Sequence, residues 1–132
     1  MHSIRKYDKS DYPMLKSWWE AHNEPVPSED LMSELGTFIF EIRGEPILSI
    51  SVILTNVPGM CFLENFIANP TMDKNDRKEY SQMLVNYALN FAKALGYKRA
   101  VCFSYRDSVK ARYENLGMTK TLDNLSSFVR EL

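Results

Sequence analysis

The sequence predicts a layered α/β fold: a mixed, mostly antiparallel sheet with helices on both faces. Three observations predict it. Residues 37–68 hold three apolar, β-type runs separated by short turns, which reads as an antiparallel meander. Residues 69–132 then alternate helical and strand periodicity, so crossover connections and a parallel pairing follow the meander. Both long helical patterns stop at a glycine, Gly96 and Gly117, the residue that most easily adopts a left-handed cap.

In chain order, residues 3–7 read as a short strand. Lys9, Ser10 and Asp11 supply N-cap candidates, and Pro13 suits the first turn of the helix that follows. Tyr12, Leu15, Trp18, Trp19 and His22 fall on one side at helical spacing, so this helix runs to about His22. The prolines of 23–27 break it, and residues 28–32 form a short second helix, ended by Gly36. Residues 37–43 alternate, with Phe38, Phe40 and Ile42 on one face. A turn at Gly44-Glu45 leads into a partner strand at 46–55, and the turn of 56–59 leads into a third at 60–68. A long helix spans 76–95 with Tyr80, Met83, Leu84, Tyr87, Ala88, Phe91 and Leu95 as its apolar stripe. Residues 99–105 read as a buried strand, 109–116 as a helix capped by Asp107 or Ser108, and 126–132 as a final strand.

Bulk properties narrow the function classes. A chain of 132 residues suits one domain, 1–132, with a real core. The net charge of -1 argues against a nucleic-acid partner, whose phosphates demand excess Lys and Arg. No apolar run approaches the roughly 20 residues of a membrane span, and the N-terminus lacks a signal-peptide core, so no membrane partner is expected. Cys61 and Cys102 lie in apolar segments without metal-ligand or CxxC spacing, which points to a reduced, cytoplasmic protein with no metal site. His2 and His22 form no constellation, and no Ser-His-Asp set or Walker-type loop is present.

Four segments carry a resemblance: Glu64-Asn-Phe-Ile-Ala-Asn-Pro70, then Ala92-Lys-Ala-Leu-Gly96-Tyr97, then Ala111-Arg-Tyr113-Glu-Asn-Leu-Gly117-Met118, and a terminal Phe128-Val-Arg-Glu-Leu132. In that order and spacing they resemble the GNAT superfamily of N-acetyltransferases, over nearly the whole chain. The resemblance implies a central splayed pair of parallel strands, 60–68 and 99–105, that admits the pantetheine arm of acetyl-CoA. It implies transfer of acetyl from acetyl-CoA to a primary amine of a small molecule or protein, by direct attack in a ternary complex. A homodimer is among the assemblies it allows. Two departures stand out. The family's phosphate loop carries glycines, whereas Arg77 opens the run RKEYSQ with none, and Arg106 stands where Asn is frequent.

The chemistry assigns candidate roles. The cofactor's pyrophosphate would meet the start of the long helix, where free N–H groups and the helix dipole attract anions, at Arg77, Lys78, Glu79, Tyr80 and Ser81. A solvated, N-capped helix start is the other reading of that run. Phe66, Ile67 and Ala68 would offer backbone to the pantetheine. Glu64 is the candidate general base: alternation puts it with Phe62 and Phe66, and desolvation among aromatics raises a carboxyl pKa toward what amine deprotonation needs. A Glu hydrogen-bonded to neighbours, or turned out by a β-bulge, is the alternative. Tyr113 is carried over as the acid for the departing thiolate, with simple packing of its helix as the alternative. Of the tryptophan pair, one faces the core and Trp19 is the candidate wall of the acceptor cleft. The rival to an enzyme is a non-catalytic binding or structural module on the same fold, supported by the missing glycines.

Overall fold

The computed structural model describes residues 1–104, 107–122 and 126–132. Five strands form one sheet in the order β1 (His2–Lys6), β2 (Thr37–Ile42), β3 (Glu45–Ile53), β4 (Cys61–Ala68), β5 (Ala100–Cys102). The first three pairings are antiparallel, and β4 with β5 is parallel. Helices α1 (Tyr12–Ala21), α2 (Lys74–Ala94) and α3 (Asp107–Asn115) complete the fold. The class expected from the sequence is the class found.

Two cores lie on opposite faces of the sheet. Phe38, Phe40, Leu48, Ile50, Val52, Cys61 and Leu63 pack beneath Leu84, Val85, Ala88 and Ala92 of α2, with Tyr113 and Leu116 of α3 at the margin. Leu15, Trp18 and Trp19 of α1 cover Ile39 and Ile67 on the other face. The alternation of β2 produces this division, because successive side chains leave a strand on opposite sides. Arg5 ties the N-terminal elements together. Its guanidinium meets both Asp11 carboxylate oxygens at 2.8 and 2.9 Å, and its Nε donates to Glu41 at 3.0 Å.

Several boundaries differ from the sequence expectation. The second helix is one 3-10 turn at Glu29–Leu31, and Gly36 ends no helix. Gly36 instead lies against β3, where Val52 N–H donates to its carbonyl at 2.7 Å. A Cβ at this position would stand 2.2 Å from the Val52 carbonyl oxygen, a backbone atom with no rotamer to escape into. Gly36→Ala is therefore expected to cost about 1–3 kcal/mol, by overpacking, as a lower urea midpoint. The β2–β3 turn is Arg43-Gly44, one residue earlier than expected. Both have positive φ, 51° and 79°, as the favoured two-residue hairpin turn requires.

The long helix begins at Lys74, two residues before the expected start, because Asp73 caps it by accepting from Asn75 N–H at 2.9 Å. Helix α3 already includes Asp107 and Ser108, so neither stands outside it as the cap. Arg106 and Tyr105 lie outside the described residues. Residues 126–132 form no strand, so β5 is the edge of the described sheet and the parallel pair is not central. The exposure of Phe128 (91%) and Val129 (84%) gives the reason: that segment buries neither of its adjacent apolar residues against the sheet.

Candidate active-site cleft

The pairing of β4 with β5 ends at Leu63–Cys102, whereas β4 continues along β3 to Ala68. Beyond Leu63, β4 has no ladder partner on its β5 side among the described residues. This opens the sheet at the carboxyl ends of its two parallel strands, where ligand crevices of α/β sheets form. A cleft of about 350 Å3 lies there, walled by β4 from Leu63 to Ala68 and by residues of α1, α2 and α3. A second hollow of about 360 Å3 sits by the 54–58 turn and Gly96-Tyr97, and its lining offers no carboxylate, amine or guanidinium.

A β-bulge shapes the cleft floor. Ser51 faces Glu64 and Ser49 faces Ile67, so three steps of β4 match two of β3. Asn65 absorbs the extra residue with φ 56°, a conformation Asn tolerates better than most residues. The bulge breaks the expected grouping of Phe62, Glu64 and Phe66 on one face. Phe66 packs toward the α2 and α3 core, while Phe62 stacks on Phe103 at 6.4 Å between centroids.

Glu64 lines the cleft half-buried, and desolvation raises its pKa above the ordinary carboxylate value. Tyr113, on α3, lines the same cleft. Burial pushes its phenol pKa up, with further rises from the neighbouring Cys102 thiol and the Glu64 charge. The Cys102 thiol, a hydrogen-bonding neighbour of Tyr113, is pushed up to about 11, chiefly by burial. Both groups thus hold their protons at neutral pH.

Of the other sequence candidates, Trp19, Phe66, Ile67, Ala68 and Arg77 line this cleft. Lys78, Glu79, Tyr80 and Ser81 do not, because residues 77–81 stand inside α2 rather than in a loop before it. Lys78 and Glu79 are exposed, Tyr80 rests on Phe40 with ring centroids 5.4 Å apart, and Ser81 is fully buried. The start of α2 is also occupied by its own carboxylate, since Asp73 takes the Asn75 N–H through its side chain and the Asp76 N–H through its carbonyl.

The cleft lining also includes residues outside the sequence candidates, among them His22, Arg112 and Asn65. His22 Nε2 meets the Ala68 carbonyl at 2.9 Å, holding the end of β4 against α1. Arg112 lies with its guanidinium carbon 5.5 Å from the centroid of Phe66. Asn65 forms the bulge. Its signal was present as an Asn inside an apolar strand, and Arg112 was marked by its place beside Tyr113, whereas the His22 contact spans 46 positions and leaves no local trace. Among the described residues no cluster of His, Cys, Asp and Glu is arranged to hold a metal ion, and no helix is long and apolar enough to cross a membrane.

No protein-family model matches the chain, and no curated protein sequence matches it. Solved structures do. A predicted acetyltransferase from Clostridium acetobutylicum, solved with acetyl-CoA, superposes with a TM-score of 0.71 at 16% identity, covering 98% of this chain and 96% of that one. Glucosamine-6-phosphate N-acetyltransferase from Arabidopsis thaliana gives 0.68 at 16% identity, covering 98% and 99%. The ribosomal-protein-S18-alanine N-acetyltransferase of Escherichia coli gives 0.76 at 16% identity, covering 92% and 80%. The fold of this chain is that of the GNAT N-acetyltransferases.

Proposed function

We propose that residues 1–132 form one acyltransferase domain that moves acetyl from acetyl-CoA to a primary amine of a small molecule or protein, by direct attack in a ternary complex. The observation that carries this reading is the cleft itself. It opens where β4 and β5 part, and a desolvated carboxyl and a buried phenol line it together. The β5-side edge of β4 beyond Leu63, which has no ladder partner among the described residues, suits the amide groups of a pantetheine arm along Phe66, Ile67 and Ala68.

Glu64 takes the proton of the attacking ammonium, a task its raised pKa brings closer to neutral pH. Tyr113 serves the leaving sulfur. A phenol with a pKa raised above about 10 is a weaker acid than a thiol near 8.5, so full proton transfer to the thiolate is uphill. Its contribution is a hydrogen bond donated as charge develops on sulfur. Trp19, on the α1 side, walls the acceptor end. Cys61 and Cys102, both free, suit a reducing cytoplasmic setting.

The test is release of free CoA from acetyl-CoA with a panel of primary amines. Tyr113→Phe is expected to lower kcat roughly tenfold or more while leaving acetyl-CoA affinity near wild type. Full kcat in that variant removes Tyr113 from the mechanism, and no release with any amine removes the transferase reading. One feature favours a non-catalytic module instead: the segment before α2 lacks the glycines that let backbone approach a phosphate. A folded chain that neither binds acetyl-CoA nor releases CoA would support that second reading, a module that has lost acetyl-CoA binding.

A further inference from the structure

Two neighbouring acceptors on β4, Glu64 and Asn65, line the cleft. Asn65 Nδ2 donates to Ser51 Oγ at 3.4 Å, and Ser51 Oγ pairs with Thr37 Oγ1 at 2.9 Å. Both hydroxyls are fully buried, where an unbonded hydroxyl is costly, so the pair is a fixed anchor for the amide nitrogen. Phe38, Ile50 and Val52 belong to the α2 core, so Thr37 and Ser51 leave their strands on the face that α1 covers. With its nitrogen held at that anchor, the planar Asn65 amide keeps its oxygen on the side away from Ser51. Neither that oxygen nor the Glu64 carboxylate has a hydrogen-bond or ion-pair partner among the described residues. A half-buried carboxylate beside an amide oxygen, both short of donors, suits a positively charged ligand with more than one N–H group. The cationic side chains of the cleft, Arg77 and Arg112, come from α2 and α3, which pack on the opposite face.

We propose that Glu64 and Asn65 form a two-point seat for the ammonium group of the acceptor, with Asn65 as a binding residue in its own right. One N–H is given to the carboxylate and a second to the amide oxygen. When Glu64 takes its proton, that N–H bond breaks, an O–H bond forms on the carboxyl and the electron pair stays on nitrogen. The bond to Asn65 then keeps the neutral amine from turning out of the cleft. The bulge makes the seat possible, because the positive φ of Asn65 brings consecutive residues of one strand to the same cleft. This inference rests on the acetyl-transfer reading for the fate of the amine, but not for the presence of an ammonium site.

The experiment is an NMR titration of the full chain at neutral pH, read on the Glu64 backbone amide. The probes are n-butylammonium and n-butyltrimethylammonium, which carry the same charge but differ in having N–H donors. The parent is expected to bind butylammonium roughly tenfold or more tightly than the trimethyl probe, and Asn65→Gly to weaken butylammonium by a similar factor. Glycine adopts positive φ freely, so the bulge should stay and the urea midpoint should remain near the parent value. Asn65→Asp keeps an oxygen at the seat, can accept from the Ser51 hydroxyl and should bind butylammonium more tightly than the parent. In acetyl transfer to butylamine, Asn65→Gly should raise the amine KM roughly tenfold and leave the acetyl-CoA KM unchanged. Equal butylammonium affinity in the parent and Asn65→Gly overturns the seat and leaves acetyl transfer standing, as does equal binding of the two probes. Asn65-dependent binding with no CoA release keeps the seat and overturns the transfer reading. No butylammonium binding by the parent also overturns the seat. Should Asn65→Gly not fold, Asn65→Asp decides alone: tighter butylammonium binding supports the seat, and unchanged affinity removes it.

Discussion

Glu64→Gln is expected to lower kcat/KM by about 10²–10⁴, the usual range for removing a positioned general base. The amide keeps the size of the side chain but cannot accept the amine proton, so acetyl-CoA affinity should stay near wild type. In the parent protein, kcat/KM for acetyl transfer should fall as pH drops through a pKa above the ordinary carboxylate value, because burial favours the neutral acid. That acid limb should vanish in the variant. Stability should move the other way. A carboxyl whose folded pKa is raised binds its proton more tightly in the native state, so its favourable contribution is present at low pH and lost as pH rises through the folded value. At neutral pH the ionised Glu64 therefore destabilises the fold, and Glu64→Gln should melt higher than the parent. Below the unfolded carboxyl pKa, about 4, that advantage should disappear. Undiminished turnover in the variant would exclude Glu64 as the base.

Phe38→Ala is expected to cost about 3–5 kcal/mol, a large share of the 5–15 kcal/mol that stabilises a typical domain. Phe38 is 2% exposed and sits where α2 crosses the sheet. Its ring meets Phe91 edge-on at 4.8 Å between centroids and Tyr87 at 5.1 Å. Truncation leaves a cavity walled by aromatics that cannot collapse without moving the helix. The urea midpoint should fall with little change in slope. Phe128→Ala is the matched control: that ring is exposed, and its loss should stay within about 0.5 kcal/mol. A loss under 1 kcal/mol at Phe38 would contradict the placement of α2 on this face.

The sheet was legible because its signals are local. Phe38, Phe40 and Ile42 alternate as they pack, and Gly96 and Gly117 end their helices with φ of 95° and 83°. The apolar stripe of α2 already assigns Leu84 and Ala88 to the core, where both are fully buried. Features that depend on distant partners were not legible. The bulge at Asn65 exists because β4 must match β3 with one residue too many, and a strand read alone gives no register. The start of α2 was misplaced because Asp73, Asn75 and Asp76 are all acceptable caps and only geometry selects among them. Residues 126–132 have a strand-like composition, yet composition forms no strand without a paired edge. Glu64, Tyr113, Trp19 and Arg77, named from the sequence, line one cleft, whereas the contact of His22 with Ala68 spans 46 positions and needed the fold.

The central claim, that the cleft between β4 and β5 takes acetyl-CoA, is tested most directly by the melting temperature of the full chain at 1 mM acetyl-CoA. A ligand present at a hundred times its Kd stabilises by about 2.7 kcal/mol, several degrees for a domain of this size. That rise is expected with acetyl-CoA, and a comparable one with CoA. A Tm that does not move at this concentration would contradict it.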